Sequence, residues 1–164
     1  MAQTQQNALF TEKLLPTRHD DVAPDGSQVR LLLGLSAGSM AHFELGAGEV
    51  SRPLRHRTVD EIWYVVQGLG QMWRHQDGAE AREIELRPGT ALTIPVGTSF
   101  QFRNTGREPL AAVGVTMPPW PGEGEWIDPT ARGRRTFIRR GEISLRVSVM
   151  LVHVGTRAAS GRGR

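Results

Sequence analysis

The side chains able to do chemistry in this chain are few. There is no cysteine, which excludes disulfides, thiolate metal ligands and a cysteine nucleophile. The 5 histidines are His19, His42, His56, His75 and His153, and His56 stands five positions before Glu61. Imidazole and carboxylate serve equally as transition-metal ligands and as general acid–base groups. Arg52, Arg55, Arg57 and Arg74 could clamp an anion. Arg55 and Arg57, however, alternate out of phase with His56, so a solvated surface is the expectation for them. Gly46, Gly48 and the Gly68-Leu69-Gly70 pair lack the strand–loop–helix context of a phosphate cradle and read as hairpin corners. No Gly-x-Ser-x-Gly elbow, P-loop or zinc-finger spacing is present.

The elements that must position these groups are short strands. The pattern predicts Val29–Leu35, Met40–Leu45, Ile62–Gln67, Gln71–Arg74, Ala81–Leu86, Ala91–Ile94, Ser99–Asn104 and Leu110–Met117. Between them lie turn residues such as Gln67-Gly68, Asp77-Gly78, Arg87-Pro88-Gly89 and Val96-Gly97. No window of helical length carries a 3.6-residue period. Frequent turns between many short strands mean an all-β sandwich or barrel.

The 164 residues suit one domain with flanking segments. Residues 1–26 read as an N-terminal arm, in which Leu9, Phe10, Leu14 and Leu15 could pack a short helix or arm on the body until Pro16 stops it. Residues 27–117 are the barrel, 118–128 a proline-rich exit and 129–164 an arginine-rich tail. Trp120 and Trp126 could pin the exit back onto the barrel. The tail carries nine arginines against Glu142, a charge of +8, so the net +3 leaves −5 for Met1–Asp128. A basic tail with one aromatic, Phe137, is weak ground for nucleic-acid binding, and none is expected. Ile143–Val154 alternates like an amphipathic strand, whereas Ala158–Arg164 reads as disordered. The start lacks a basic segment followed by an apolar run, and no stretch nears the roughly 20 apolar residues of a membrane helix. A soluble cytoplasmic protein is the expectation.

Two stretches resemble the cupin motifs. The first cupin motif runs Gly, five residues, His-x-His, three or four residues, Glu, six residues, Gly. Gly48, His56, Glu61 and Gly68 match it, while the first histidine position is Leu54. The second runs Gly, five residues, Pro-x-Gly, two residues, His, three residues, Asn. Gly89, Pro95, Gly97 and Asn104 match it, but the histidine position is Phe100. The resemblance covers about Val29–Met117. It implies a jelly-roll barrel built of two sheets, in which the family holds a metal on three histidines and a glutamate.

Leu54 and Phe100 offer no donor atom, so two of the four implied ligands are missing. No resident cofactor is the expectation. If a transition metal binds, His56 and Glu61 would hold it, with His42 as a third donor reaching inward. Were Glu61 to point inward as in the family, strand alternation would carry Trp63 and Val65 with it, Leu54 with His56, and Phe102 with Phe100. The expected interior is an apolar chamber holding one imidazole and one carboxylate, with Leu54, Trp63, Val65, Phe100 and Phe102 as substrate-binding walls. Burial would raise the acid's pKa and lower the imidazole's. His56 and Glu61 are then candidate catalytic base and acid of a metal-free or metal-optional isomerase, cyclase or lyase. A non-catalytic small-molecule-binding barrel is the alternative, a metal-dependent dioxygenase the second, and a buried pair serving structure alone remains open. The outward row Ile62, Tyr64 and Val66 would need a cover, and a homodimer is the expectation.

Overall fold

A computed structural model describes residues 10–129. Leu9, the alternating stretch Ile143–Val154 and the polar end Ala158–Arg164 lie outside the described residues. The strands in chain order are β1 (Asp21–Val22), β2 (Gln28–Leu35), β3 (Gly38–Leu45), β4 (Leu54–His56), β5 (Asp60–Gln67), β6 (Gly70–His75), β7 (Arg82–Leu86), β8 (Ala91–Ile94), β9 (Ser99–Asn104), β10 (Leu110–Met117) and β11 (Trp126–Ile127). Among the described residues there is no α-helix, and no helix long and apolar enough to cross a membrane.

The strands form two antiparallel sheets, ordered β1-β2-β3-β10-β5-β8 and β11-β4-β9-β6-β7. Late strands are inserted between early ones, β10 between β3 and β5 and β9 between β4 and β6, which is jelly-roll connectivity. Each sheet has one apolar face to hide, and the two faces close on each other. β5 makes the logic explicit: Glu61, Trp63 and Val65 are buried, while Ile62, Tyr64 and Val66, the row on which the homodimer expectation rests, are exposed. Trp63, Val65, Met72, Ile94, Phe100 and Phe102 join one buried cluster. Each fully buried side chain of this size contributes roughly 1.5–3 kcal/mol.

Two positions of the matched motifs have a clear local purpose. Gly68 turns the β5–β6 corner at φ 78°, and a Cβ there would collide with the Pro109 carbonyl, so only glycine fits. Asn104 donates from Nδ2 to the carbonyls of Leu45 (3.0 Å) and Glu108 (2.7 Å) and accepts the Gly106 N–H (2.8 Å) on Oδ1, tying the β9–β10 turn to the end of β3.

The N-terminal arm departs from the expectation of a packed apolar segment. Phe10 and Leu14 are 95% and 92% exposed. What attaches the arm is polar: Lys13 Nζ donates to the Leu31 carbonyl (2.6 Å), the Leu31 N–H donates to Asp20 (2.8 Å), and β1 pairs with β2. Backbone partners won over side-chain burial because β2, paired with β3 on one side, offers backbone groups on the other that β1 and the arm take up.

Candidate active site

The inner face of the six-stranded sheet carries the acid. Glu61 on β5 lies between Ile94 of β8 and Thr116 of β10, and Trp63 lies across from Gly114. The absent side chain at Gly114 makes room for three groups at once. A Cβ there would sit 2.6 Å from Phe43 Cε2, 3.0 Å from Glu61 Oε1 and 3.1 Å from Trp63 Nε1. Phe43 in turn stacks on Trp63, with ring centroids 5.3 Å apart and planes 11° from parallel.

The opposite sheet carries the base. Leu54 of β4 pairs with Phe100 of β9, and His56 pairs with Trp126 of β11. The His56 ring meets Phe100 edge-on at 5.3 Å and Trp120 edge-on at 5.4 Å. Arg55, on the other face, forms a two-pronged pair with Asp77 at 3.2 Å. The turn after His56 is held by Glu125 from the exit segment. Its Oε1 accepts the N–H groups of Arg57 (3.0 Å), Thr58 (2.7 Å) and Val59 (3.1 Å), and its Oε2 accepts the Thr58 hydroxyl (2.7 Å). Burial alone would raise this carboxyl, but the bonds from Thr58, Val59 and Arg57 together hold it below its ordinary range, as a carboxylate. The Trp120 N–H donates to Ser39 Oγ at 2.9 Å, so the exit is fastened on both sides of the barrel mouth.

Between the sheets lies a chamber of about 1000 Å³. His56, Glu61, Leu54, Trp63 and Phe100 all line it. Val65 and Phe102 do not: they sit in the closed core, Phe102 edge-on to Trp63 at 5.0 Å. Alternation gave them the right face, but their depth along the strand puts them beyond the chamber floor. His42 is also corrected. It pairs with Arg30 and Val113 in the row that includes exposed Tyr64, opposite to Phe43, so it faces away from the chamber. Four contributors come from outside the expected set: Asp25 from the arm, Phe43 from β3, and Trp120 and Glu125 from the exit. Asp25 is buried, and its Oδ1 accepts both the Ser27 N–H (2.8 Å) and the Ser27 hydroxyl (2.6 Å).

Burial displaces the titration of both central groups, and it is the acid whose protonation state becomes unusual. Burial pushes Glu61 up to about 8; the nearby Trp63 indole opposes this and the charge of Asp25 adds to it. Burial pulls His56 down to about 4, against the opposing attraction of Glu125. At neutral pH the acid is therefore protonated and the imidazole uncharged. His56 Nδ1 and Glu61 Oε2 lie 3.8 Å apart, too far for a hydrogen bond, and this contact is a meeting of two neutral groups rather than an ion pair. His56 Nδ1 is buried without a hydrogen-bond partner.

The sequence profile described as Cupin domain matches residues 41–116. Those residues form a cupin domain. The chain is 28% identical over 124 residues to the uncharacterised protein MJ1618 of Methanocaldococcus jannaschii, covering 70% of this chain and 95% of that protein. Among solved structures it resembles BH2720 of Bacillus halodurans at 25% identity and a TM-score of 0.52, over 61% of this chain and 76% of that one. It also resembles the formate complex of Lactobacillus farciminis oxalate decarboxylase at 20% identity and a TM-score of 0.57, over 72% of this chain and 34% of that one. The last likeness is one of fold.

Cupin domains often carry a metal, and the donors of this one do not fit that group. Leu54 and Phe100 stand where the family's histidines would, side by side on β4 and β9. With His42 turned outward, no set of three His, Cys, Asp or Glu among the described residues is arranged to hold a metal ion. The chemistry of this chamber is derived below from the chain's own groups.

Proposed function

We propose that this cupin is a proton-transfer enzyme of the isomerase, cyclase or lyase kind acting on a small metabolite within the chamber. The observation that carries the reading is the pairing of a protonated carboxyl with an uncharged imidazole, 3.8 Å apart and both buried. In the tautomer with its proton on Nε2, His56 presents an unpartnered Nδ1 lone pair as base, and Glu61 presents an O–H as acid. For a carbonyl substrate, Nδ1 takes the proton from the carbon beside the carbonyl, and the C–H electron pair becomes the C=C bond. Glu61 gives its proton to the carbonyl oxygen. The transfer leaves imidazolium beside carboxylate, so two charges that are costly separately arise as an attracting pair. Delivery of the imidazolium proton to a different carbon, while the enol O–H proton returns to Glu61, completes an isomerisation; departure of a group from the adjacent carbon, taking the imidazolium proton while the enol O–H proton returns to Glu61, completes an elimination.

The experiment is a deuterium wash-in. Full-length protein in D2O is incubated with a mixture of small carbonyl metabolites, and mass spectrometry follows exchange at carbon. His56→Ala and Glu61→Gln should each abolish the exchange while the fold persists. Exchange that survives both substitutions, or its absence throughout the mixture together with an unaltered metabolite retained in native mass spectrometry, would replace this reading with that of a non-catalytic binding barrel.

A further inference from the structure

The chemical character of the chamber wall is one-sided. Four carboxyl residues line it: Asp21 and Asp25 from the arm, Glu61 from β5 and Glu123 from the exit. Five aromatic residues join them, Phe43, Trp63, Phe100, Trp120 and Trp126. Among the described residues no lysine or arginine lines it, and its histidine, His56, is uncharged at neutral pH. With 11 lysines and arginines among the described residues, that exclusion is a chemical statement about what enters. An anionic ligand would find no counter-charge and would meet several acids. Aromatic walls with carboxylates between them are the surroundings in which organic cations are held, by ring quadrupoles and by charge.

A second observation points to a ligand independently of the acids. His56 is 4% exposed and lines the chamber, and its Nδ1 is without a partner. A buried polar atom of that kind is costly unless something in the chamber meets it. A small molecule bearing a hydroxyl a few atoms from its charged end would donate to it.

We propose that the chamber takes an organic cation, an amine or quaternary ammonium on an apolar or aromatic body, with its charge beside Asp25 and its body against Phe43, Phe100 and Trp120. Glu61 stays protonated next to it, as the proton-transfer reading requires. This deepens that reading by naming its substrate class, and it rests on it only in taking the chamber as the ligand site.

Isothermal titration calorimetry of the full chain at pH 7 with benzyltrimethylammonium, benzyl alcohol and phenylacetate tests this. The cation should bind at least about tenfold more tightly than either of the others, a preference of about 1.4 kcal/mol. Asp25→Asn should weaken it. If Asp25→Asn does not fold, Trp120→Ala on the exit supplies the comparison, again with weaker cation binding. Phenylacetate or benzyl alcohol binding as tightly as the cation, or no binding by any of the three, overturns the proposal. The two readings fail separately: cation binding without deuterium wash-in leaves this one standing, and wash-in confined to uncharged or anionic substrates leaves only the other.

Discussion

Replacing Glu61 by glutamine should change how stability depends on pH, and the size of the change follows from the burial of the acid. Glu61 is raised from 4.5 to about 8, so between those values the folded chain binds a proton that the unfolded chain has released. Stability contributed by this group is fully present below 4.5 and is lost as pH rises toward 8. His56 is lowered from 6.5 to about 4, so its effect has the opposite sign: stability rises as pH increases from about 4 to 6.5. The two slopes cancel over the shared window, and Glu61 acts alone between 6.5 and 8. At 1.36 kcal/mol per pH unit, that window costs the wild type about 2 kcal/mol. Asp25, also raised, adds a loss of the same sign in both proteins. Glutamine cannot ionise and preserves the shape, so Glu61→Gln should escape the Glu61 part. Urea denaturation of both proteins at pH 6 and pH 8.5 measures the effect. His56 titrates alike in both, so the stability difference between them follows Glu61 alone and should move by about 2.5 kcal/mol in favour of the variant at the higher pH. Parallel behaviour of the two proteins would refute a protonated Glu61 at neutral pH.

The close approach at Gly114 predicts that Gly114→Ala, by pressing on Phe43 and Glu61, costs about 1–3 kcal/mol in urea denaturation, a typical overpacking cost. Because Leu54 and Phe100 are cross-strand neighbours lining the same chamber as His56 and Glu61, the double substitution Leu54→His with Phe100→His should create a four-donor site. Elemental analysis after nickel or zinc loading and desalting should find close to one metal per double-variant chain and under about a tenth of that in the wild type.

Eight of the strands were legible because each is long enough to display alternation between recognisable turns. β1, β4 and β11 were not, since two or three residues carry no period; they exist because a neighbouring edge offers backbone partners. The inner face of β5 came from the cupin resemblance, since residue type alone does not favour Glu61, Trp63 and Val65 over Ile62, Tyr64 and Val66; alternation then put Leu54 with His56 on one side of β4. What alternation does not encode is depth, which is why Val65 and Phe102 read as walls although they lie in the core. It also gives no sign of which face of β3 looks inward when His42 and Phe43 are both bulky and both mostly buried. Asp25 sits in Ala23-Pro24-Asp25-Gly26, a plain turn composition, and its burial is decided by the barrel mouth it folds across. Glu125 lies in a proline- and glycine-rich exit, and only the three-dimensional return of that segment to the His56 turn reveals its partners.

That returning exit has a consequence for where this protein can be divided. The matched cupin domain stops at Thr116, yet the carboxylate that fastens the His56 turn and the indole against its ring both lie further along the chain. At the other end, Asp25 precedes the match by sixteen residues. A fragment trimmed to 41–116 would retain Glu61 and His56 while losing β2 and the start of β3 from the six-stranded sheet, the roof above the pair and one whole acidic wall. The span shared with the family is shorter than the span that closes this barrel and makes its chamber, and the flanking segments supply the difference.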